Sequence, residues 1–246
     1  MRYSNKILER IRKGEKALGL SFGDNPNEEL IEMAGHLGLD FVSFDGQHSP
    51  ITPERVGQLC RVADGFGLSV HMRLPDGQES TILGYLDKGV RAILIPNLQF
   101  KEEAELIVKW SYFAPLGLRS ATSLRTVFNQ TSTRTQLFKD MNDNLMVMGQ
   151  LESVTSFENL DEILTVDGLD WFGGGPEDTA QSMGMPGQHA HPKPVEAYKK
   201  AADKVRATPG KFIFADFWDT IDVSGLVMSA AEELLRKHGR EPGLAF

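Results

Sequence analysis

Short apolar clusters alternate along the chain with longer segments in which apolar residues recur at helical spacing. The clusters predict eight strands, at Ala17–Phe22, Phe41–Phe44, Leu68–Met72, Ala92–Ile95, Leu145–Gln150, Leu169–Phe172, Lys211–Phe214 and Asp222–Leu226. The segments between them predict helices, at Asn27–Gly38, Thr52–Ala63, Ser80–Lys88, Glu102–Trp110, Phe157–Thr165, Pro194–Val205 and Ser229–His238. Strands that alternate with helices imply parallel pairing through right-handed crossovers.

Two α/β architectures fit this order, the closed (β/α)8 TIM barrel and the open doubly wound sheet. A dinucleotide-binding sheet carries a glycine-rich fingerprint after its first strand, whereas the glycine run of this chain, Gly173–Gly175, follows the sixth. The pattern therefore favours a (β/α)8 TIM barrel of the α/β class. Since the chain has neither a linker nor an internal repeat, residues 1–246 are expected to form a single TIM-barrel domain. The segment 111–144, rich in Ser, Thr and Arg, is expected to fold over one end of the barrel.

Composition narrows the range of partners. The net charge of −8 disfavours nucleic acid, because phosphate binding needs a basic face. No apolar run approaches the ~18 residues of a membrane span, and the charged N-terminal segment lacks the apolar core of a signal peptide. A single cysteine, Cys60, excludes an internal disulfide and a cysteine-only metal site. These features predict a cytoplasmic protein with small-molecule partners, no nucleic acid and no membrane.

Polar residues collect where the predicted strands end. They are Asp45, Gln47, His48, Arg73, Gln150, Glu152, Glu177 and Asp178. Because the C-terminal ends of all strands open onto one face of a barrel, residues far apart in sequence would share one pocket. That face is therefore the predicted active site.

Two of these residues, Glu152 and Asp178, are carboxylates that follow adjacent strands. Such a pair can bind a hard divalent ion through oxygen and leave several positions for water or substrate. Taken singly, either residue is more often a solvated surface acid. Their shared position at strand ends favours a metal site.

Three other residues supply polar chemistry at the same face. His48 is the predicted proton carrier, because histidine titrates near neutral pH, and Asp45 on the same strand exit could orient it. Arg73 could hold a carboxylate or a developing enolate oxygen, although a salt bridge at the barrel mouth explains it nearly as well. The Gly173–Gly175 run would let backbone N–H groups approach an anion, or form a tight turn.

Five segments together resemble one family. They are Phe41–Pro50, His71–Pro75, Leu86–Pro96, Gln150–Ser153 and Gly175–Asp178. In this order they resemble the HpcH/HpaI aldolase and citrate lyase family, specifically its class II pyruvate-dependent aldolases of 2-keto-3-deoxy sugar acids. The resemblance extends from about Leu18 to Val205. Gln47 departs from it, since the family has a glutamate there.

The resemblance implies a role for each matching residue. His48 would be the catalytic acid/base, Arg73 the enolate stabiliser, and Glu152 and Asp178 the ligands of a divalent metal ion, Mg, Mn or Co. Gln150 would lie beside the bound 2-oxo acid, and the backbone at Gly175, Glu177 and Asp178 would face its carboxylate. Asp87 would reach the histidine of a neighbouring subunit, because the family assembles as homohexamers.

The predicted function is reversible aldol cleavage of a 4-hydroxy-2-oxo acid to pyruvate, or a pyruvate-like 2-oxo acid, and an aldehyde. A Schiff-base mechanism is disfavoured because neither Lys88 nor Lys101 is on a predicted strand. One alternative is a CoA-thioester lyase, for which Arg125 and Arg134 offer a weak basic patch. Another is a barrel that binds a 2-oxo acid without turnover.

Overall fold

The computed structural model describes residues 4–23, 26–49, 51–121 and 133–243. Its strands are β1 Ala17–Ser21, β2 Phe41–Asp45, β3 Ser69–Arg73, β4 Ala92–Ile95, β5 Met146–Gln150, β6 Trp171–Gly173, β7 Phe212–Ile213 and β8 Trp218–Asp222. Its described helices are α1 Lys6–Arg12, α2 Glu28–Leu37, α3 Pro53–Gly65, α4 Glu79–Leu86, α5 Lys101–Ser111, α6 Arg134–Asp143, α7 Val154–Glu158, α8 Leu160–Ile163, α9 Pro176–Ser182, α10 Pro192–Ala207 and α11 Val223–Lys237. A 3₁₀ turn, Phe214–Asp216, links β7 to β8.

All eight strands belong to one parallel sheet in the order β7-β6-β5-β4-β3-β2-β1-β8. The sheet curls into a TIM-barrel-like α/β fold, which confirms the predicted class. Alternate side chains point to opposite sides of a strand. Thus Phe41 joins an inner apolar cluster with Met148 and Trp218, whereas Val42 joins the larger core between the sheet and the helices.

The N-terminal end of the barrel is closed by α1, a helix that the sequence analysis did not predict. Ile7 and Leu8 of this helix pack into the inner cluster. Asn5 accepts a hydrogen bond from Ile7 N and donates from Nδ2 to the carbonyls of Arg91 and Asn144. The opposite end of the barrel, where the strands terminate, remains available for chemistry.

The last strand differs from the prediction of Asp222–Leu226. The observed β8 is Trp218–Asp222, and residues 223–226 begin α11. The reason is a helix cap, because the Asp222 carboxylate accepts a 2.5 Å hydrogen bond from Gly225 N. Apolar residues after Asp222 therefore belong to an amphipathic helix rather than to a strand.

The connection between β7 and β8 also departs from a regular (β/α)8 pattern. Within the described residues only the turn Phe214–Asp216 lies between them, and β7 is two residues long. No β7–β8 pairing occurs in the described part of the sheet. In the segment expected to fold over one end, α6 is helical and residues 122–132 lie outside the described ranges.

No helix in the described ranges combines the length and the apolar character needed to cross a membrane.

Candidate active site

The best-defined feature of the C-terminal face is an ion pair between Arg73 and Asp45. These two residues are opposite each other in the β2–β3 register. Nε of Arg73 donates to Oδ1 of Asp45 at 2.9 Å, and a second guanidinium nitrogen donates to Oδ2. Burial by itself would raise the pKa of Asp45, but the hydrogen bonds from Arg73 and from backbone N–H groups outweigh it and lower that pKa. The carboxylate therefore stays ionised and fixes the plane of the guanidinium.

Asp45 also shapes the turn that carries His48. Its carboxylate accepts hydrogen bonds from the backbone N–H groups of Gln47, at 2.9 Å, and His48. The His48 side chain is exposed at the barrel mouth. Sequence analysis expected Asp45 to orient the imidazole. The hydrogen bonds instead show it orienting Arg73 and the backbone of the His48 turn.

Glu152 is a buried carboxylate immediately after β5, with 4% of its surface exposed. Oε1 accepts a 2.9 Å hydrogen bond from Asn97 N, and Oε2 accepts one from Nε2 of Gln150. Burial, and then the negative charge of Asp178, raise its pKa to about 7. The two predicted metal ligands are therefore close enough to interact electrostatically.

This pair of acids fits a divalent cation. Ionising both carboxyl groups costs free energy, because Glu152 is buried and the two negative charges repel each other. A bound cation would offset this cost by attracting both charges. Oε1 of Gln150 is buried and has no hydrogen-bond partner among the described residues. No group of three or more His, Cys, Asp or Glu residues in those ranges could hold a metal, so this site offers only two carboxylates. Most coordination positions would remain for water or substrate.

The glycine run after β6 brings backbone close to this site. Gly174 has φ 151°, and a Cβ there would lie 2.0 Å from the Leu151 carbonyl oxygen, so only glycine fits. Gly175 is extended and precedes α9. The N–H groups of Glu177 and Asp178 lie in the first turn of that helix, where no intrahelical acceptor exists. An anion could accept hydrogen bonds from them, and the family resemblance implies that this anion is the carboxylate of the 2-oxo acid.

Asp87 is the one predicted residue that the structure does not bring to this face. It follows α4, which returns from β3 toward the opposite end of the barrel. Its carboxylate accepts a 2.8 Å hydrogen bond from the buried guanidinium of Arg119. Asp87 therefore pairs with Arg119 within one chain, and the role that the resemblance implies for it belongs to the site of a second subunit.

Two contributors were missed by sequence analysis. Asn97 follows β4 with φ 49°, and its backbone N–H donates to Glu152. The sequence indicates that Asn97 lies at a strand end. It does not indicate the hydrogen bond, because a backbone N–H does not depend on the residue type. His71, one of the histidines that compete with His48 for the role of proton carrier in the sequence, was given no structural role. It points into the barrel one inward position below Arg73, bonded through Nδ1 to Ser43 Oγ at 2.8 Å. Burial lowers the pKa of His71 to about 3, so it is neutral and cannot compete with His48 as proton carrier.

Comparisons with known proteins identify a family and a fold. A sequence profile of the HpcH/HpaI aldolase/citrate lyase family matches residues 20–234. A 2-keto-3-deoxy-L-rhamnonate aldolase of Escherichia coli (strain K12) is 29% identical over 204 residues, which are 83% of this chain and 76% of that protein. The HpcH/HpaI aldolase from Desulfitobacterium hafniense DCB-2 superimposes with a TM-score of 0.79 at 24% identity, covering 97% of this chain and 98% of the other. The citrate synthase SbnG superimposes with a TM-score of 0.74 at 25% identity, covering 96% of this chain and 98% of the other.

Proposed function

This chain belongs to the HpcH/HpaI aldolase/citrate lyase family, and we propose that it is a divalent-metal-dependent aldolase. It would cleave a 4-hydroxy-2-oxo acid of the 2-keto-3-deoxy sugar acid type, reversibly, to pyruvate or a similar 2-oxo acid and an aldehyde. The observation that carries this proposal is the pairing of a buried, destabilised carboxylate, Glu152, with Asp178 at the face where Arg73 is braced by Asp45. The E. coli relative named for its action on 2-keto-3-deoxy-L-rhamnonate supports the substrate class.

The residues divide the reaction between them. Glu152 and Asp178 would hold Mg, Mn or Co, and the ion would act as a Lewis acid on the keto oxygen. Nε and one terminal nitrogen of the Arg73 guanidinium donate to Asp45. The guanidinium N–H groups that do not contact Asp45 would donate to the same keto oxygen as negative charge develops on it. Gln150 would orient the 2-oxo acid, and the first-turn N–H groups of α9 would receive its carboxylate.

His48 would move the proton of the hydroxyl that becomes the aldehyde oxygen. During cleavage His48 would accept that proton as the carbon–carbon bond breaks. During aldol addition, the reverse reaction, His48 would return the proton to the oxygen. Its exposed position at the barrel mouth suits exchange of the proton with solvent.

The lysines nearest to the strands do not support a Schiff base. Lys88 follows α4 and Lys101 begins α5, so neither is on a strand. Lys211 immediately precedes β7, at the end of the barrel away from Arg73. Its ammonium is occupied by two carbonyl oxygens and by Asp170, at 2.7–3.0 Å. A covalent mechanism would need a free amine at the other face.

Metal removal tests the proposal. We expect that exhaustive chelation abolishes pyruvate release from a 2-keto-3-deoxy sugar acid and that Mg, Mn or Co restores it. Borohydride added during turnover should trap no adduct, and mass spectrometry of the protein checks this. Full activity without metal, or a trapped pyruvate adduct on a lysine, would refute it.

The CoA-thioester alternative gains no support from the described residues. Arg125 lies outside them. Arg134 donates to the Ala121 carbonyl and lies over the Phe138 ring, so its guanidinium is already engaged. A purely binding barrel is not favoured either, because the family consists of carbon–carbon lyases.

We also propose a homo-oligomer, with six subunits as the count that the family resemblance implies. No residue of α11 is buried, and its apolar face carries Val227 and Leu234 at 62% and 59% exposure. The outer face of the sheet beside it also exposes apolar side chains, Leu18 and Ile221. Both the apolar face of α11 and the exposed sheet face could be buried by contact with other copies of the chain.

Substitution on α11 tests the assembly. Leu234→Lys should lower the mass measured by light scattering, because it places a charge in the centre of the apolar face. Ser229→Lys adds the same charge on the polar face of the helix and should leave the mass unchanged. A monomeric native protein would contradict the proposal, as would an unchanged Leu234→Lys assembly.

A further inference from the structure

The wall of the barrel is incomplete between β6 and β8. A regular (β/α)8 barrel returns the chain through a helix after every strand, and the loops at the C-terminal ends build the substrate pocket. Here β7 is two residues long and a three-residue 3₁₀ turn leads directly into β8. In the described chain, the upper part of a seventh strand and its loop are therefore absent from the pocket wall.

Strand β8 forms the edge of this gap, and all its residues after Trp218 are exposed. Trp218 points inward, where its ring lies 5.0 Å from that of His71. Thr220 is two residues further along the same strand and therefore shares this inward face. Thr220 is exposed, whereas the inward residues Leu94 and Met148 across the barrel are 6% and 0% exposed.

The floor of the gap is aromatic and adjoins the 2-oxo acid site. Phe214 lies against Gly173, where a Cβ would be 1.9 Å from its ring, and its centroid is 4.8 Å from Trp218. Gly173 is opposite Gln150 in the β5–β6 register. The gap is thus next to the residue proposed to orient the 2-oxo acid.

The polar groups around the gap limit what it would bind. Thr220 supplies one hydroxyl, and the Asp222 carboxylate is committed to capping α11. The negative charge of Asp222 disfavours an anionic group. An aromatic floor with few hydrogen-bonding groups suits an uncharged, apolar substituent.

We propose that the gap beside β8 widens acceptor specificity: besides the hydroxyaldehydes that 2-keto-3-deoxy sugar acids release, it admits aldehydes with an uncharged alkyl or aryl chain of several carbons, with Thr220 as the size-determining residue. This inference rests on the proposed aldolase function. The chain would extend from the reacting carbonyl over Phe214 and past Thr220. Shorter aldehydes would fit as well, and aldehydes ending in a carboxylate would be poor.

Aldol addition of pyruvate to propanal, hexanal, 3-phenylpropanal and succinic semialdehyde tests the proposal. The wild-type protein should use hexanal and 3-phenylpropanal with kcat/KM at least equal to that for propanal, and succinic semialdehyde least well. Thr220→Trp should lower the hexanal-to-propanal ratio of kcat/KM at least tenfold, because the indole fills the gap. Thr220→Val, which keeps the side-chain volume, should leave that ratio unchanged.

Oxaloacetate decarboxylation in each variant reports whether the 2-oxo acid site is intact. A wild-type preference for propanal over hexanal overturns the proposal, as does an unchanged ratio in a Thr220→Trp protein that still decarboxylates. If Thr220→Trp does not fold, Thr220→Leu should give a smaller decrease in the same ratio, and no decrease overturns the proposal. Absence of both addition and decarboxylation in the wild-type protein would instead refute the aldolase function itself.

Discussion

Replacing Arg73 with alanine should slow aldol cleavage and oxaloacetate decarboxylation alike, by about 10²–10³-fold, the usual cost of removing one donor to a developing oxyanion. Both reactions pass through the pyruvate enolate, and this guanidinium is held at that position by a bidentate contact with Asp45. Steady-state kcat for the two substrates, measured with metal saturating, checks the expectation. An Arg73→Ala protein that decarboxylates at full rate would remove the arginine from the enolate site.

His48→Ala is the matched comparison. Loss of a general acid–base group typically costs about 10²–10⁴-fold, a range that overlaps the arginine effect, so size alone cannot assign the roles. The pattern can, because cleavage has a hydroxyl proton to remove and decarboxylation has none. Cleavage should therefore fall much further than decarboxylation. Equal losses in the two reactions would refute His48 as the proton carrier of the aldol step.

Glu152→Ala and Asp178→Ala should each weaken Mn affinity by more than ~100-fold, because each removes a direct ligand. Loss of a residue that only hydrogen-bonds to a metal ligand already costs ~10–100-fold in affinity. Gln47→Glu should keep or raise the affinity, because it adds a negative charge near the site. Calorimetric titration of the metal-free protein measures all three. Unchanged affinity in both alanine variants would place the metal elsewhere.

The same titration has an expected pH dependence. The pKa of Glu152 is about 7 in the metal-free protein, raised by burial and by Asp178. Only the ionised carboxylate binds the cation. Affinity should therefore weaken as pH falls below about 7 and recover above it, and binding near pH 6.5 should release a proton. Glu152→Gln should lose this proton release along with most of its affinity; proton release that persists would assign it to another group.

Much of the site could be predicted because strand ends are visible in sequence. The fourth strand was predicted with its observed bounds, Ala92–Ile95, since four consecutive buried positions admit only apolar residues. Asp45 and Arg73 each directly follow a predicted strand, so the sequence placed both at one face, and they are the last residues of β2 and β3. For Glu152, the strand-end position that it shares with Asp178 favoured a metal ligand over a surface acid, and the family resemblance implies the same role.

What could not be predicted depends on contacts between distant segments. The contact of Asp45 with Arg73 was not predicted, because His48 is near Asp45 in sequence, whereas Arg73 is near it only across the sheet. Glu152 accepts a hydrogen bond from the backbone N–H of Asn97. Because almost any residue type could provide that N–H group, the sequence does not indicate this contact. The position of β8 was wrong because an apolar run after Asp222 fits a strand and an amphipathic helix equally, and the cap decides between them.

The pairing of β1 with β8 also has a consequence for the order in which the chain folds. Ala17 is aligned with Trp218, so the first strand waits for nearly the whole chain before it gains its second neighbour. During synthesis strands β2 to β7 can add in sequence, β2 onto β1 and each of the following strands onto the one before it. One edge of β1, with its unpaired N–H and C=O groups, stays open throughout. Because such long-range closure is slow, this edge is where a nascent chain most needs protection from pairing with another.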